Sequence, residues 1–188
     1  MNESQEMPNG WTKAIFEDLL DYIQPTKFIV ESTEYNEKYK TPVLTAGKSF
    51  IIGYTNENKG IFKELPVIIF DDFTTATQFV NFPFKVKSSA MKILKPTCKL
   101  VCIKYVFNFM KTINVNVDTH KRYWISHYSK LPIPLPPLPE QQRIVAMIEE
   151  LFSSLDKGIE SLKTAQQQLK IYRQAVLKWA FEGKLTNT

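Results

Sequence analysis

The chain has 188 residues, 44% of them hydrophobic, and a formal net charge of +5. That leaves room for one globular domain with an ample core plus a further element. No apolar run reaches membrane-spanning length, and the opening Met1-Asn2-Glu3-Ser4-Gln5-Glu6 is polar and acidic, unlike a signal peptide.

Gly10–Leu20 reads as a short strand running into a brief helix that is broken near Pro25, and residues 26–42, polar and without periodicity, read as loop. Strand candidates follow at Val43–Thr45, Ser49–Gly53, Pro66–Phe70, Gln78–Phe82 and Ala90–Leu94, punctuated by Gly47, Gly53 and Gly60. Lys99–Thr112 places Cys102, Val106, Phe109, Met110 and Ile113 at helical spacing and is expected to be a helix. Asn114–Asp118 is an expected turn, Tyr123–Ile125 a short strand, and Pro132–Pro139 a linker. The expected fold class is α+β. It has a small mixed, largely antiparallel twisted-sheet domain over 1–135, then a long coiled-coil helix within 136–188.

Charge is unevenly spread. Acids outnumber lysines up to residue 84, whereas 85–130 carry Lys85, Lys87, Lys92, Lys95, Lys99, Lys104, Lys111, Lys121, Arg122 and Lys130 against Asp118 alone. Aromatics such as Tyr105, Phe107, Tyr123 and Trp124 interleave with them. A one-sign block suits a phosphate backbone, although a solvated face would look the same. Two loops carry side chains that can meet base edges in the major groove: Tyr54, Thr55, Asn56 and Asn58 in one, and Phe73, Thr74, Thr75, Thr77 and Gln78 in the other. The same residue types are ordinary turn formers.

A catalytic site does not assemble. There is no phosphate-cradling glycine loop, and His127 adjoins Ser126 only in sequence, with no acid nearby to orient its ring. His120 reads as a surface or phosphate-contact residue. Asp71-Asp72 lack a second acidic cluster, so no metal is expected. Asn81-Phe82-Pro83-Phe84 is similar to the Asn-Pro-Pro-aromatic loop of amino-methyltransferases, but Phe82 replaces the first proline and no cofactor-binding βα unit precedes it. Cys98 and Cys102, without clustered histidines, make a poor zinc site and read as buried, reduced thiols of a cytoplasmic protein. No cofactor is expected.

The last fifty residues are the most informative. With Ile144 at heptad position d, the d series continues Leu151, Gly158, Ala165, Tyr172 and Trp179, and the a series is Ile148, Leu155, Leu162, Leu169 and Val176. This is the sustained spacing of a coiled coil. Pro139 and Glu140 suit a helix start, and Gly183, near Lys178 and Lys184, suits its stop. At ~1.5 Å per residue, Pro139–Phe181 makes a rod of roughly 65 Å. A domain of this size has a radius of gyration near ~14 Å, so the rod overshoots it. Each aliphatic a residue is worth ~1.5–3 kcal/mol if buried, so another copy of the chain, or another protein, must cover the stripe.

Several motifs resemble one family. Pro134-Leu135-Pro136-Pro137-Leu138-Pro139-Glu140-Gln141-Gln142-Arg143-Ile144 and the closing Ala175-Val176-Leu177-Lys178…Ala180-Phe181-Glu182-Gly183-Lys184-Leu185 look like the repeat region of the DNA-specificity subunits of Type I restriction–modification systems. Pro8-Asn9-Gly10-Trp11 and Gly53…Gly60…Ile68–Phe73 resemble parts of that family's target recognition domains. The resemblance implies a non-catalytic subunit that selects sites in double-stranded DNA. It implies a methyltransferase partner subunit that brings S-adenosylmethionine, with a restriction subunit as an optional addition. The family's usual form has two recognition domains and antiparallel long helices, and this chain holds half of that, as a natural half-length subunit or a piece of a longer one. Two copies pairing antiparallel would make a homodimer that reads two inverted half-sites, with Lys85, Lys87, Lys121 and Arg122 on phosphates. Two readings compete: a coiled-coil adaptor whose basic face is incidental, and the recognition half of a single-chain restriction–methylation enzyme.

Overall fold

A computed structural model of the chain describes residues 7–47, 49–114 and 122–185. It divides into two units, residues 1–145 and 146–188. The first unit is built on a run that can only be a buried strand. β5 (Val67–Asp71) reads Val-Ile-Ile-Phe, and all four are fully buried. It lies in a four-stranded antiparallel sheet of order β2 (Leu20–Ile23), β8 (Met91–Pro96), β5, β6 (Thr77–Val80). Alternate side chains of a strand point to opposite faces. Ile68, Phe70 and Leu94 therefore enter one core, while Val67, Ile69, Val80 and Ile93 enter another. Burial on both faces is why β5 is continuously apolar rather than alternating.

The first core is closed by α1 (Phe16–Leu19), α2 (Ile103–Met110) and α3 (Tyr123–Ser126), with Trp124 and Tyr128 packed at ring-centroid distances of 5.2 and 4.9 Å from Phe70. The second is closed by a small sheet of β4 (Ile51–Thr55), β3 (Thr41–Leu44) and β7 (Lys85–Val86), in which β3 pairs antiparallel with β4 and parallel with β7. The mixed, largely antiparallel α+β architecture is as expected. The strands expected between residues 43 and 94 are present with ends displaced by one or two residues.

Three expectations need correction. The 132–139 segment is not a free linker: Pro132–Leu135 forms β9, antiparallel to β1 (Thr12–Ile15), with Tyr105 donating to the Pro134 carbonyl at 2.6 Å. A two-stranded sheet leaves each strand an unpaired side, which accommodates prolines that have no amide to donate. Tyr123–Ile125 is the helix α3 rather than a strand, because Asp72 receives both of its first amides: Tyr123 N–H on the carbonyl at 3.0 Å and Trp124 N–H on the carboxylate at 2.9 Å. The helix expected over 99–112 forms only at Ile103–Met110. Most of the expected 114–118 turn lies outside the described residues.

The second unit is the continuation of α4, which spans Leu138–Phe181. It stops as the sequence requires. Gly183 takes φ +74, Lys184 N–H reaches the Trp179 carbonyl at 2.9 Å and Gly183 N–H reaches Ala180 at 3.2 Å, a Schellman cap. Among the described residues, no helix is long and apolar enough to cross a membrane.

Candidate nucleic-acid interface

One edge of the first unit gathers four segments distant in sequence. The amide of Lys87 donates to the Leu44 carbonyl at 3.1 Å, tying the 87–90 loop to the end of β3, and Ala46 N–H lies 3.3 Å from the Met91 sulfur. Asp72 N–H donates to Ala90 at 3.0 Å, and the Asp72 carbonyl holds Tyr123. The β3–β4 turn, the β5–β6 turn, the 87–90 loop and Arg122 therefore share one rim. Phe73, Thr74, Lys87 and Arg122 are exposed there, with Thr75 and Gln78 half-buried.

The β5–β6 turn is held by its own side chains. Asp71 accepts the amides of Phe73 and Thr74 at 2.9 and 3.0 Å, and Thr75 N–H closes onto the Asp71 carbonyl at 2.9 Å. Thr75 adopts φ +56, a left-handed conformation uncommon for a β-branched residue. Behind the turn, the Asp72 carboxylate, 2% exposed, faces the Lys92 ammonium at 3.6 Å, which also donates to Gln24 at 3.2 Å. Both aspartates are thus structural. Among the described residues, no three His, Cys, Asp or Glu side chains gather as a metal site. The cysteines are not buried as expected: Cys98 lies exposed in the turn before α2, and Cys102 is half-buried at its start.

Several side chains assigned to DNA from their type alone are placed otherwise. Lys85 is 3% exposed, paired with Glu57 at 2.6 Å and donating to the Lys59 carbonyl at 2.9 Å, so it has no free charge for a phosphate. Tyr123 belongs to the buried set, and Thr77 is buried in β6. Thr55 is buried too, with its hydroxyl accepting the Glu57 amide at 3.2 Å. Tyr54 is half-buried, while Asn56 and Asn58 are exposed. Their loop leaves from Thr55, which pairs with Thr41 at the opposite end of β3 from the rim. The two loops therefore do not form one surface. Lys121 and His120 lie outside the described residues.

Glu57 organises that second loop. Its carboxylate accepts the amides of Glu31 and Ser32, both at 3.0 Å, and pairs with Lys85. Burial pushes its pKa up, but the Lys85 bond and the two amides together outweigh that and hold it below the ordinary glutamate value. A depressed carboxylate contributes stability that is complete above the unfolded-state pKa and lost as pH falls through the folded one. Glu57→Gln is therefore expected to melt lower than the parent at neutral pH, with the deficit shrinking as pH drops below about 4. Paired thermal melts across pH check this, and a deficit independent of pH would refute it.

The start of α4 reveals a residue that pattern reading passed over. Gln141 is 1% exposed, accepts Cys102 N–H at 2.8 Å and donates to the Leu100 and Pro136 carbonyls at 3.1 and 2.9 Å. Val145 is buried beside it, and Ile144 packs against the first core. Ile144, expected on a dimer seam, is thus engaged within its own unit. Beyond it the seam side chains Leu151, Leu155, Leu162, Leu169, Tyr172 and Trp179 are exposed, Leu162 by 71%, and Ile148 and Val176 are half-buried.

The sequence model for the Type I restriction modification DNA specificity domain matches residues 8–170. The chain belongs to this specificity-domain family. The specificity subunit of the Type I restriction enzyme EcoR124I/EcoR124II of Escherichia coli is 42% identical over 181 residues, covering 89% of this chain and 44% of that protein. The EcoKI specificity subunit of E. coli strain K12 is 39% identical over 118 residues, covering 56% of this chain and 25% of that protein. The HsdS subunit of Thermoanaerobacter tengcongensis shares the fold with a TM-score of 0.62 at 20% identity, over 97% of this chain and 48% of that one. A chain from a type I R-M system complex gives 0.67 at 17% identity, over 96% of this chain and 48% of its own. This family member spans about half the length of those two structural relatives and 44% of the EcoR124I/EcoR124II subunit.

Proposed function

We propose that this chain is the non-catalytic, sequence-reading subunit of a cytoplasmic Type I restriction–modification methyltransferase complex, and that two copies pair through α4 to read a symmetric bipartite site in double-stranded DNA. The observation that carries it is the exposed aliphatic seam of α4 in a specificity-family chain half as long as its structural relatives. A second copy would supply a second recognition domain. A methyltransferase subunit, carrying S-adenosylmethionine, would supply the chemistry, and a restriction subunit would be a further partner. On the rim, Lys87 and Arg122 would fix phosphates while Phe73, Thr74, Thr75 and Gln78 meet bases, the usual division between positioning and specifying contacts. Asn56 and Asn58 would make a separate contact. Twofold symmetry in the protein implies inverted half-sites in the DNA.

Light scattering at micromolar concentration is expected to show a dimer, and a monomer would overturn the pairing. Methylated adenines mapped in cells co-expressing the chain and its methyltransferase should fall in inverted repeats around a fixed spacer. Lys87→Glu with Arg122→Glu should weaken DNA binding and flatten its log–log salt dependence by about two contacts. Unchanged DNA binding in that variant would favour the coiled-coil adaptor.

A further inference from the structure

We infer that the α4 helices of two copies pair antiparallel in one particular register, with the twofold axis passing between the levels of Lys163 and Thr164. This rests on the pairing reading above and adds the facing partners. The seam contains two small residues, Gly158 and Ala165, and two large ones, Tyr172 and Trp179. In a parallel pair each position meets itself. Glycine would face glycine and tryptophan would face tryptophan, leaving holes at one level and crowding at another.

Antiparallel pairing sets a against d and removes both faults. Leu162 then faces Ala165 of the second copy, and Leu169 faces Gly158, so each small residue lies opposite a leucine. Tyr172 faces Leu155 and Trp179 faces Ile148, so each aromatic lies opposite an aliphatic.

The structure selects the register among those that sequence allows. Slid by one heptad toward the helix start, Val176 and Trp179 would need Ile144 and Gln141 as partners. Ile144 is packed against its own core and Gln141 is buried with three hydrogen bonds. Slid the other way, Leu151 would face Gly183, beyond the end of α4. In the remaining register every a and d residue from Ile148 to Trp179 has one partner, including Leu151 with Val176, and the overlap runs about 47 Å. It also gives a neighbour to an apolar side chain off the seam: Phe152, 62% exposed, lies beside Arg173 of the second copy, whose guanidinium can stack on the ring.

Disulfide trapping in a Cys98→Ser, Cys102→Ser background tests this. An equimolar mixture of Leu155→Cys and Tyr172→Cys copies should give a cross-linked heterodimer under mild oxidation, read on a non-reducing gel and confirmed as a linked peptide by mass spectrometry. Neither variant alone should cross-link efficiently. Linkage in a Leu155→Cys and Ala165→Cys mixture in its place marks the slid register, and self-linkage of Leu155→Cys marks a parallel pair. Either overturns the inference while leaving a dimer by light scattering intact. A monomer with no linkage overturns the register together with the pairing itself.

Discussion

Asp72→Ala is expected to cost the first unit about 3–5 kcal/mol of stability, the usual loss when one partner of a buried ion pair is removed. The Asp72 residue is 2% exposed and its Lys92 partner 1%, so neither charge is open to solvent. Truncation leaves the Lys92 ammonium, among the described residues, with Gln24 Oε1 at 3.2 Å and the Tyr22 ring face at 5.3 Å. It also removes the acceptor of the Trp124 amide. Chemical denaturation measures the loss, and a cost below about 1 kcal/mol would show that Gln24 and Tyr22 satisfy the ammonium unaided. Asp72→Asn should fall between, since its amide oxygen can still accept from Trp124. The backbone of the same residue ties the β5–β6 turn to Ala90 and to the start of α3, so partial unfolding should begin at the rim.

What could be read from sequence was whatever a repeating pattern encodes. The apolar run 67–70 demands a strand, the heptads after Ile148 demand a long helix, and Gly183 demands its end. What could not be read depended on which way a single side chain faces. Lys85 and Lys87 are two residues apart in one basic block, yet Lys85 turns inward to Glu57 and Lys87 stays in solvent. Thr74 and Thr77 divide in the same way. Only the fold tells them apart, because the pairing of short strands decides the face. The segment 132–135 does not read as a strand, because prolines ordinarily argue against one. Here they sit in a two-stranded sheet, where half the amides have no ladder to join. Glu57 could not be found either, since its partners lie at Glu31, Ser32 and Lys85.

Gln141→Leu is the second large effect, expected at about 2–4 kcal/mol: the buried Pro136 carbonyl loses its donor at about 1–3 kcal/mol, and the half-buried Cys102 amide and the solvent-reachable Leu100 carbonyl lose theirs at smaller cost. Leucine fills the same space but abandons the Cys102 amide, the Leu100 carbonyl and the Pro136 carbonyl together. Cys102 is the residue from which α2 starts and Pro136 lies two residues before α4, so one side chain fixes both helix starts. Gln141→Glu separates the roles. It keeps an acceptor for Cys102 but turns a carboxylate toward two carbonyls that had received N–H donors, so it should fare no better than leucine at neutral pH and improve as acid protonates it. Amide exchange should quicken at Cys102 and in the 138–145 turns in both variants. Unchanged exchange there, with full stability, would mean that water replaces the side chain and that Gln141 does not hold the base of α4. Gln141 would then be free for a second copy, and the packing of Ile144 against its own core would alone stand against the one-heptad slide.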